Sequence, residues 1–453
     1  MSVARRPPGP KGRFLRGSVP EIRRDTEGLP GFLTRCARDY GDVVGFSLFR
    51  VRYCLVNDPT LIERVLVHEH DHVIKHGDLR QLKPALGDGL LTNEGDAWRR
   101  QRRLVQPAFS HECIRTYADI TVRSSEQMLT SWRDGDVHDV HADLMSVTLQ
   151  IVAQALFGVN MALQERAVGA ALRGFMDLLE QAAGGRFPLW VPTPANRRLR
   201  RAIRRFDALI SSVIRERRAS GGQGTDLLSL LLTTADETGA GMTDREVRDE
   251  VITLLFAGHE TTGLALSWTL FLLGQHPEIE VKLARELETV LGGRTPTAAD
   301  APKLAYARQV LQEALRLYPP VWCFGREAQA TIQLGDYFIP RGTQILLAQW
   351  VTHRDARFFP EPERFLPERW EPERERRIPN YAYFPFGGGP RRCIGSNVAM
   401  MEATLLLAIV VQRFRVVLQL EHPVELDPGI TLRPRHGIRV TVWHRGAGAT
   451  SAA

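Results

Sequence analysis

Phe386-Gly387-Gly388-Gly389-Pro390-Arg391-Arg392-Cys393-Ile394-Gly395 is the stretch on which the reading of this chain turns. One cysteine sits in a glycine-rich bend, two residues after Arg391 and just ahead of a long apolar segment with helical spacing. Glycines let the backbone adopt φ > 0 and approach a flat ligand closely. Pro390 fixes φ beside the bend. Amides of the bend and of the helix start direct positive charge toward sulfur, which favours the thiolate. A thiolate held in this way suits a proximal ligand of haem iron. The plain alternative is a core cysteine after a tight turn.

The spacing Phe-x-x-Gly-x-Arg-x-Cys-x-Gly, from Phe386 to Gly395, resembles the haem-binding loop of the cytochrome P-450 family. The resemblance implies haem b with Cys393 as its axial ligand and sole protein metal ligand. Phe386 and Gly395 would pack against the cofactor and Arg391 would meet a haem propionate.

Size and charge fit that expectation. The chain has 453 residues, 43% of them hydrophobic, ample for a large core. No linker or repeat divides it. The expected organisation is a basic Pro/Gly-rich arm over 1–28, a single domain over 29–446 and a short tail over 447–453. Net charge is +7, carried almost wholly by arginine. Such a surface suits an acidic protein partner or anionic lipid, and the lack of a nucleic-acid motif discounts nucleic acid. The five cysteines are widely spaced and odd in number, which argues against a disulfide scaffold or a zinc site. MSVARRPPGPKG offers no apolar stretch. The expectation is a cytoplasmic monomer of bacterial type with no membrane span.

Helical spacing predicts helices near 29–40, 59–67, 95–108, 113–132, 140–157, 165–182, 195–219, 243–274, 277–291, 303–317 and 396–414. Strands are expected over Val43–Phe49, Arg52–Val56, Gln344–Leu347 and Gly437–Val442, with a hairpin at Gly335-Asp336-Tyr337. The fold class is therefore mainly α with a smaller β portion. By resemblance it is the cytochrome P-450 fold, with a long kinked central helix over the haem. The Pro-, Arg- and Glu-rich stretch 359–385 reads as a long ordered loop.

Ala257-Gly258-His259-Glu260-Thr261-Thr262 interrupts the longest apolar helical pattern with polar residues. Gly258 removes a side chain where something must come close, and the Thr261 hydroxyl can bond the Ala257 carbonyl and widen the helix. The segment resembles the family's oxygen-activation motif. That mapping makes Thr261 the residue that holds bound oxygen, Glu260 a proton relay and Ala257 a neighbour of the cofactor. His259 reads as lining.

Glu313-Ala314-Leu315-Arg316 places a carboxylate and a guanidinium on one helix face. The resemblance adds Arg369 as the third member of a buried structural triad. Trp98 and Arg102 share a helix face. By resemblance they join Arg326 and Arg391 in contacting haem propionates. Arg99, Arg100, Arg103 and Arg392 could receive an electron donor. The histidines at 68, 70, 72 and 76 read as a solvated segment rather than a zinc site. Arg50, Arg52 and Tyr53 read as an ordinary basic strand rather than a carboxylate anchor.

The implied activity is insertion of one oxygen atom of O2 into a C–H bond, with electrons from a separate ferredoxin or flavoprotein. Apolar residues at Leu79–Leu91, Trp190, Val321 and Trp322 are candidate lining for a lipophilic substrate. The hexapeptide looks like that of bacterial fatty-acid hydroxylases, and Pro194-Ala195-Asn196-Arg197-Arg198 resembles terpenoid hydroxylases. Two rival readings are a peroxide-driven enzyme and a non-enzymatic haem-thiolate sensor. The acid–alcohol pair Glu260 and Thr261 counts against the first.

Overall fold

A computed structural model describes residues 5–158, 191–219, 221, 224 and 226–445. The expected helix at 165–182 and the candidate lining residue Trp190 lie outside the described residues. The chain falls into two compact units, each assembled from separate stretches: 1–77, 308–393 and 423–436 in one, 78–307, 394–422 and 437–453 in the other.

The first unit is built on a five-stranded mixed sheet ordered Val43–Leu48, Val51–Val56, Gln344–Leu347, Phe324–Ala328 and Val73–Lys75. Val51–Val56 runs parallel to Gln344–Leu347, and the other pairings are antiparallel. Alternation places Cys54, Val56, Ile345 and Leu347 in a core with Ile62, Leu66 and Phe384. Phe324–Ala328 and Val73–Lys75 escape sequence reading: one is half polar, and the other is three residues long. The hairpin Ile332–Leu334 and Tyr337–Ile339 turns at Gly335, as its sequence predicts. The 1–28 segment is more than an arm. Gly45 N–H donates to the Pro8 carbonyl at 2.8 Å, and Val19–Arg24 is helical.

The second unit is helical. Asp244–Gln275 starts at a complete capping box between Thr243 and Glu246. Against it pack Val140–Phe157, capped by Asp139, and Ser396–Arg413. Val140–Phe157 is the one helix among the described residues long and apolar enough to cross a membrane, and half of it is buried within the protein. Ser396–Arg413 passes directly into the strand Phe414–Leu418, which pairs with Arg439–His444. A helical pattern read from sequence absorbs Phe414 for that reason. Leu227–Thr233, capped by Asp226, is too short and uniformly apolar for periodicity to reveal.

Glu402 lies within Ser396–Arg413, and its Oε1 has no hydrogen-bond partner among the described residues. Burial alone pushes its carboxyl up to about 8. The unfolded chain then releases this proton near pH 4.5 and the native state only near 8. Stability should fall across that interval by about 1.4 kcal/mol per pH unit from this group. Glu402→Gln should remove that slope, measured as denaturant midpoints between pH 5 and 8; an unchanged slope would show that Glu402 ionises freely when folded.

Candidate functional site

In the first unit, the cysteine loop is closed by its own backbone. Cys393 N–H donates to the Phe386 carbonyl at 3.0 Å, and Gly387 N–H to that of Phe384 at 2.9 Å. Gly389–Arg391 form a single 3-10 turn. At Gly389, φ is +63° and an added Cβ would stand 2.0 Å from the Leu66 carbonyl oxygen, so only glycine fits. The Cys393 residue is exposed, unlike the buried Cys36 and Cys54. Burial pushes both of those thiols up to about 12. They are inert core residues, and Cys393 is the one presented on a rigid, glycine-defined loop.

The same unit holds Glu313 and Arg316, both fully buried, in a two-point ion pair at 2.8 and 2.9 Å. Glu313 also accepts from Arg369 Nε at 3.3 Å, from the indole of Trp370 at 2.9 Å and from the Leu366 amide at 3.1 Å. Sequence reasoning named the three charged residues and missed the two neutral donors. Arg316 reaches onward to the carbonyls of His353, Pro362 and Arg364. His353 Nε2 then accepts from the Phe384 amide at 3.0 Å. Burial, and after it the charges of Arg316 and Arg354, hold the His353 imidazole well below its ordinary value, so it stays a neutral acceptor. Through His353 the triad thus reaches Phe384, two residues ahead of Phe386 and the cysteine loop.

Arg326 is mostly buried on its strand and lies over the Phe324 ring at 5.1 Å. It stands directly opposite Lys75 across the antiparallel pair, and His76 follows. Lys75 and His76 are also less than a tenth exposed. Register thus sets an ammonium donor directly opposite a guanidinium. This donor set fits a carboxylate-bearing cofactor. Neither Lys75 nor His76 belongs to a motif, and only strand register brings them to Arg326.

Trp322 does not behave as lining. It is buried, and its indole donates to the Gly429 carbonyl at 3.0 Å, which anchors the 423–436 segment. Val321 beside it is half-buried. The histidine segment also separates. His70 turns onto the Val67 carbonyl and His72 onto Glu69, and no metal-holding group of His, Cys, Asp or Glu occurs among the described residues.

In the second unit, the helix Asp244–Gln275 stays α-helical throughout. From Asp249 to Leu273 every residue is buried except Ala257, Gly258 and Thr261. Those three share one face. Thr261 Oγ1 donates to the Ala257 carbonyl at 2.9 Å. The neighbouring Glu260 is buried, and His259 is folded onto the Leu255 carbonyl at 2.9 Å, which leaves it in the packing. Gly258 has a different role from the one its position suggests. An added Cβ would lie 3.0 Å from Val152 Cγ2, and one on Gly263 2.9 Å from the Met145 sulfur. The two glycines let Val140–Phe157 pack closely against this helix.

Upstream on the same helix, the loop 87–93 is tied to buried acids. Asp88 N–H donates to Asp249 at 2.8 Å and Leu90 N–H to Glu250 at 3.2 Å. The expected lining residues Leu82, Ala85, Leu86 and Leu90 are core here.

Gly95–Val105 carries Trp98, buried, and Arg102, half-buried, on one face. Arg102 borders a cavity of about 490 Å³ that Pro107 and Phe109 also line. Gly395 lies within this unit, its Cβ position 3.4 Å from the Phe109 ring. The docking arginines need correction. Arg99 is paired with Asp96, Arg100 with Asp236 and Glu246, and Arg103 with Glu237. These carboxylates neutralise the charge that was to attract a donor.

The Cytochrome P450 family model matches residues 7–442. Cyclooctatin synthase of Streptomyces melanosporofaciens is 39% identical over 89% of this chain and 87% of its own length. Cyclooctat-9-en-7-ol 5-monooxygenase of the same organism is 37% identical, over 87% and 84%. Retinoic acid-bound cyanobacterial CYP120A1 superposes with a TM-score of 0.87 at 26% identity, covering 97% of this chain and 99% of that one. The chain belongs to the cytochrome P450 family. It is an oxidoreductase of the monooxygenase type.

Proposed function

We propose that this chain hydroxylates a C–H bond of a terpenoid, using O2 and electrons from a separate ferredoxin or flavoprotein. The family implies a haem-iron cofactor. When bound, haem b supplies the chemistry of O2 reduction and oxygen insertion. Cys393 is the thiolate ligand. Phe386 and Gly395 bracket it, one bulky and one small enough to let the ring approach. Arg326, Arg391, Trp98 and Arg102, with Lys75 opposite Arg326, would take the cofactor's carboxylates.

The observation that carries the oxygenase reading is the accessible face at Ala257, Gly258 and Thr261 on an otherwise buried helix. Ala257 leaves room there. Thr261 holds its proton in a bond to the Ala257 carbonyl and can turn it toward an acceptor. Glu260, buried next to it, resupplies the proton. The terpenoid class is supported by the bacterial terpenoid monooxygenases among the relatives. The fatty-acid reading has no comparable support.

A spectral titration tests the substrate class. Terpenoids should convert low-spin haem to high-spin, with fatty acids and steroids weaker. A preference for fatty acids would overturn the terpenoid assignment and leave the oxygenase assignment standing.

Thr261→Ala tests the proton path. Haem content and substrate affinity should stay near wild type, while most electrons appear as hydrogen peroxide rather than product. The expected loss of coupling is about tenfold to a hundredfold, the range of one positioned acid–base group. Coupling equal to wild type would remove Thr261 from the relay.

A further inference from the structure

Two tight turns in the first unit carry large apolar residues at their tips. Arg13 and Gly17 exchange backbone hydrogen bonds at 2.7 and 2.8 Å, closing a turn with Phe14 and Leu15 at its apex. The second turn joins Val43–Leu48 to Val51–Val56 through Phe49 and Arg50. The turns are tied together by Phe49 N–H donating to the Arg16 carbonyl at 3.3 Å, and by Ser18 N–H to that of Ser47 at 2.8 Å. Phe14 is 91% exposed, Phe49 63% and Leu15 54%.

The conformation makes this choice of residues informative. Leu15 has φ +63° and Phe49 φ +53°. Glycine or asparagine is strongly preferred in that region, and a bulky residue there is strained. Both turns thus present an apolar side chain to solvent against two local preferences. The two stretches that form the turns carry charge of one sign. Residues 5–18 contain five Lys or Arg and 43–56 contain two Arg, and neither stretch contains an Asp or Glu. Arg13, Arg16, Arg50 and Arg52 are exposed around the tips.

We propose that these turns form a membrane-docking tip, in which Phe14, Leu15 and Phe49 enter the interface of an anionic bilayer and the arginines bind its phosphates. Apolar residues inside a cationic rim suit interfacial binding, which requires both elements. Guanidinium matches phosphate at two points. A second copy of the chain would bring the same cationic rim against itself. The inference does not rest on the substrate or cofactor assignments.

The test is sedimentation of the full-length haem-loaded protein with vesicles of phosphatidylcholine and phosphatidylglycerol, compared with phosphatidylcholine alone. The protein should pellet with the first and stay in solution with the second. Phe14→Ser with Leu15→Gly and Phe49→Asn should reduce partitioning by about tenfold to a hundredfold. Its melting temperature should hold or rise, because Gly and Asn suit the positive φ. Arg13→Gln with Arg16→Gln and Arg50→Gln should weaken binding by about fivefold per arginine. Failure of the wild type to bind anionic vesicles would overturn the proposal, as would binding indifferent to both variants. So would a tip variant that only changes the protein's oligomeric mass, which would make the tip a protein interface.

Discussion

Cys393→His should abolish the long-wavelength absorption band of the reduced, carbon-monoxide-bound protein that gives the family its name. The expectation rests on the loop more than on the cysteine alone. Gly389 fits only as glycine against Leu66, and the Cys393 amide is fixed on the Phe386 carbonyl. A histidine placed there would still be held in position, so haem could remain bound while the thiolate signature and the monooxygenase activity vanish. The two readouts together separate loss of the ligand from loss of the fold. A band that survives the substitution would move the ligand to another residue. Among the cysteines, buried Cys36 and Cys54 are poor substitutes, since burial disfavours their thiolates.

Glu313→Ala should be the most destabilising single substitution outside the cysteine loop. It leaves Arg316, which is fully buried, and Arg369, 8% exposed at its side chain, without their counter-charge. Breaking a buried pair by removing one partner costs about 3–5 kcal/mol. The Trp370 indole and the Leu366 amide lose their acceptor as well, which adds to the loss. The denaturant midpoint should fall accordingly, and haem retention with it, because Arg316 and His353 connect the triad to Phe384 at the start of the cysteine loop. Glu313→Gln, which keeps an acceptor but not the charge, should lie between the two. A midpoint for Glu313→Ala within about 0.5 kcal/mol of wild type would show that the triad is dispensable.

The residues that sequence made legible are those whose chemistry is tied to a local pattern. Cys393 is announced by glycines within a few positions, Thr261 by polar residues inside an apolar helix, and Glu313 with Arg316 by helical spacing. The residues that stayed hidden depend on pairing between distant segments. Lys75 meets Arg326 only because Val73–Lys75 registers against Phe324–Ala328. Trp370 reaches Glu313 across the chain. Asp236 and Glu246, which neutralise Arg100, lie far from it in sequence. Runs of like charge invite a docking interpretation because the compensating carboxylates are remote. Gly258 misleads in a similar way, since its small size serves Val152 on another helix.

The sheet order of the first unit has a consequence for biosynthesis. Val51–Val56 has its parallel partner in Gln344–Leu347, and the Arg52 side chain reaches the Arg341 carbonyl over a separation of 289 residues. A ribosome adding about 5–20 residues per second needs about 15–60 s to span that interval. For that time the Val43–Val56 hairpin is finished but lacks its neighbour. Its inner edge, Val51-Arg52-Tyr53-Cys54-Leu55-Val56, is rich in strand-forming residues and is open to pairing with other chains. The helices of Val140–Phe157 and Asp244–Gln275 emerge during the same interval and can associate first. Yield in a heterologous host should therefore depend on chaperones that cover an unpaired strand during synthesis.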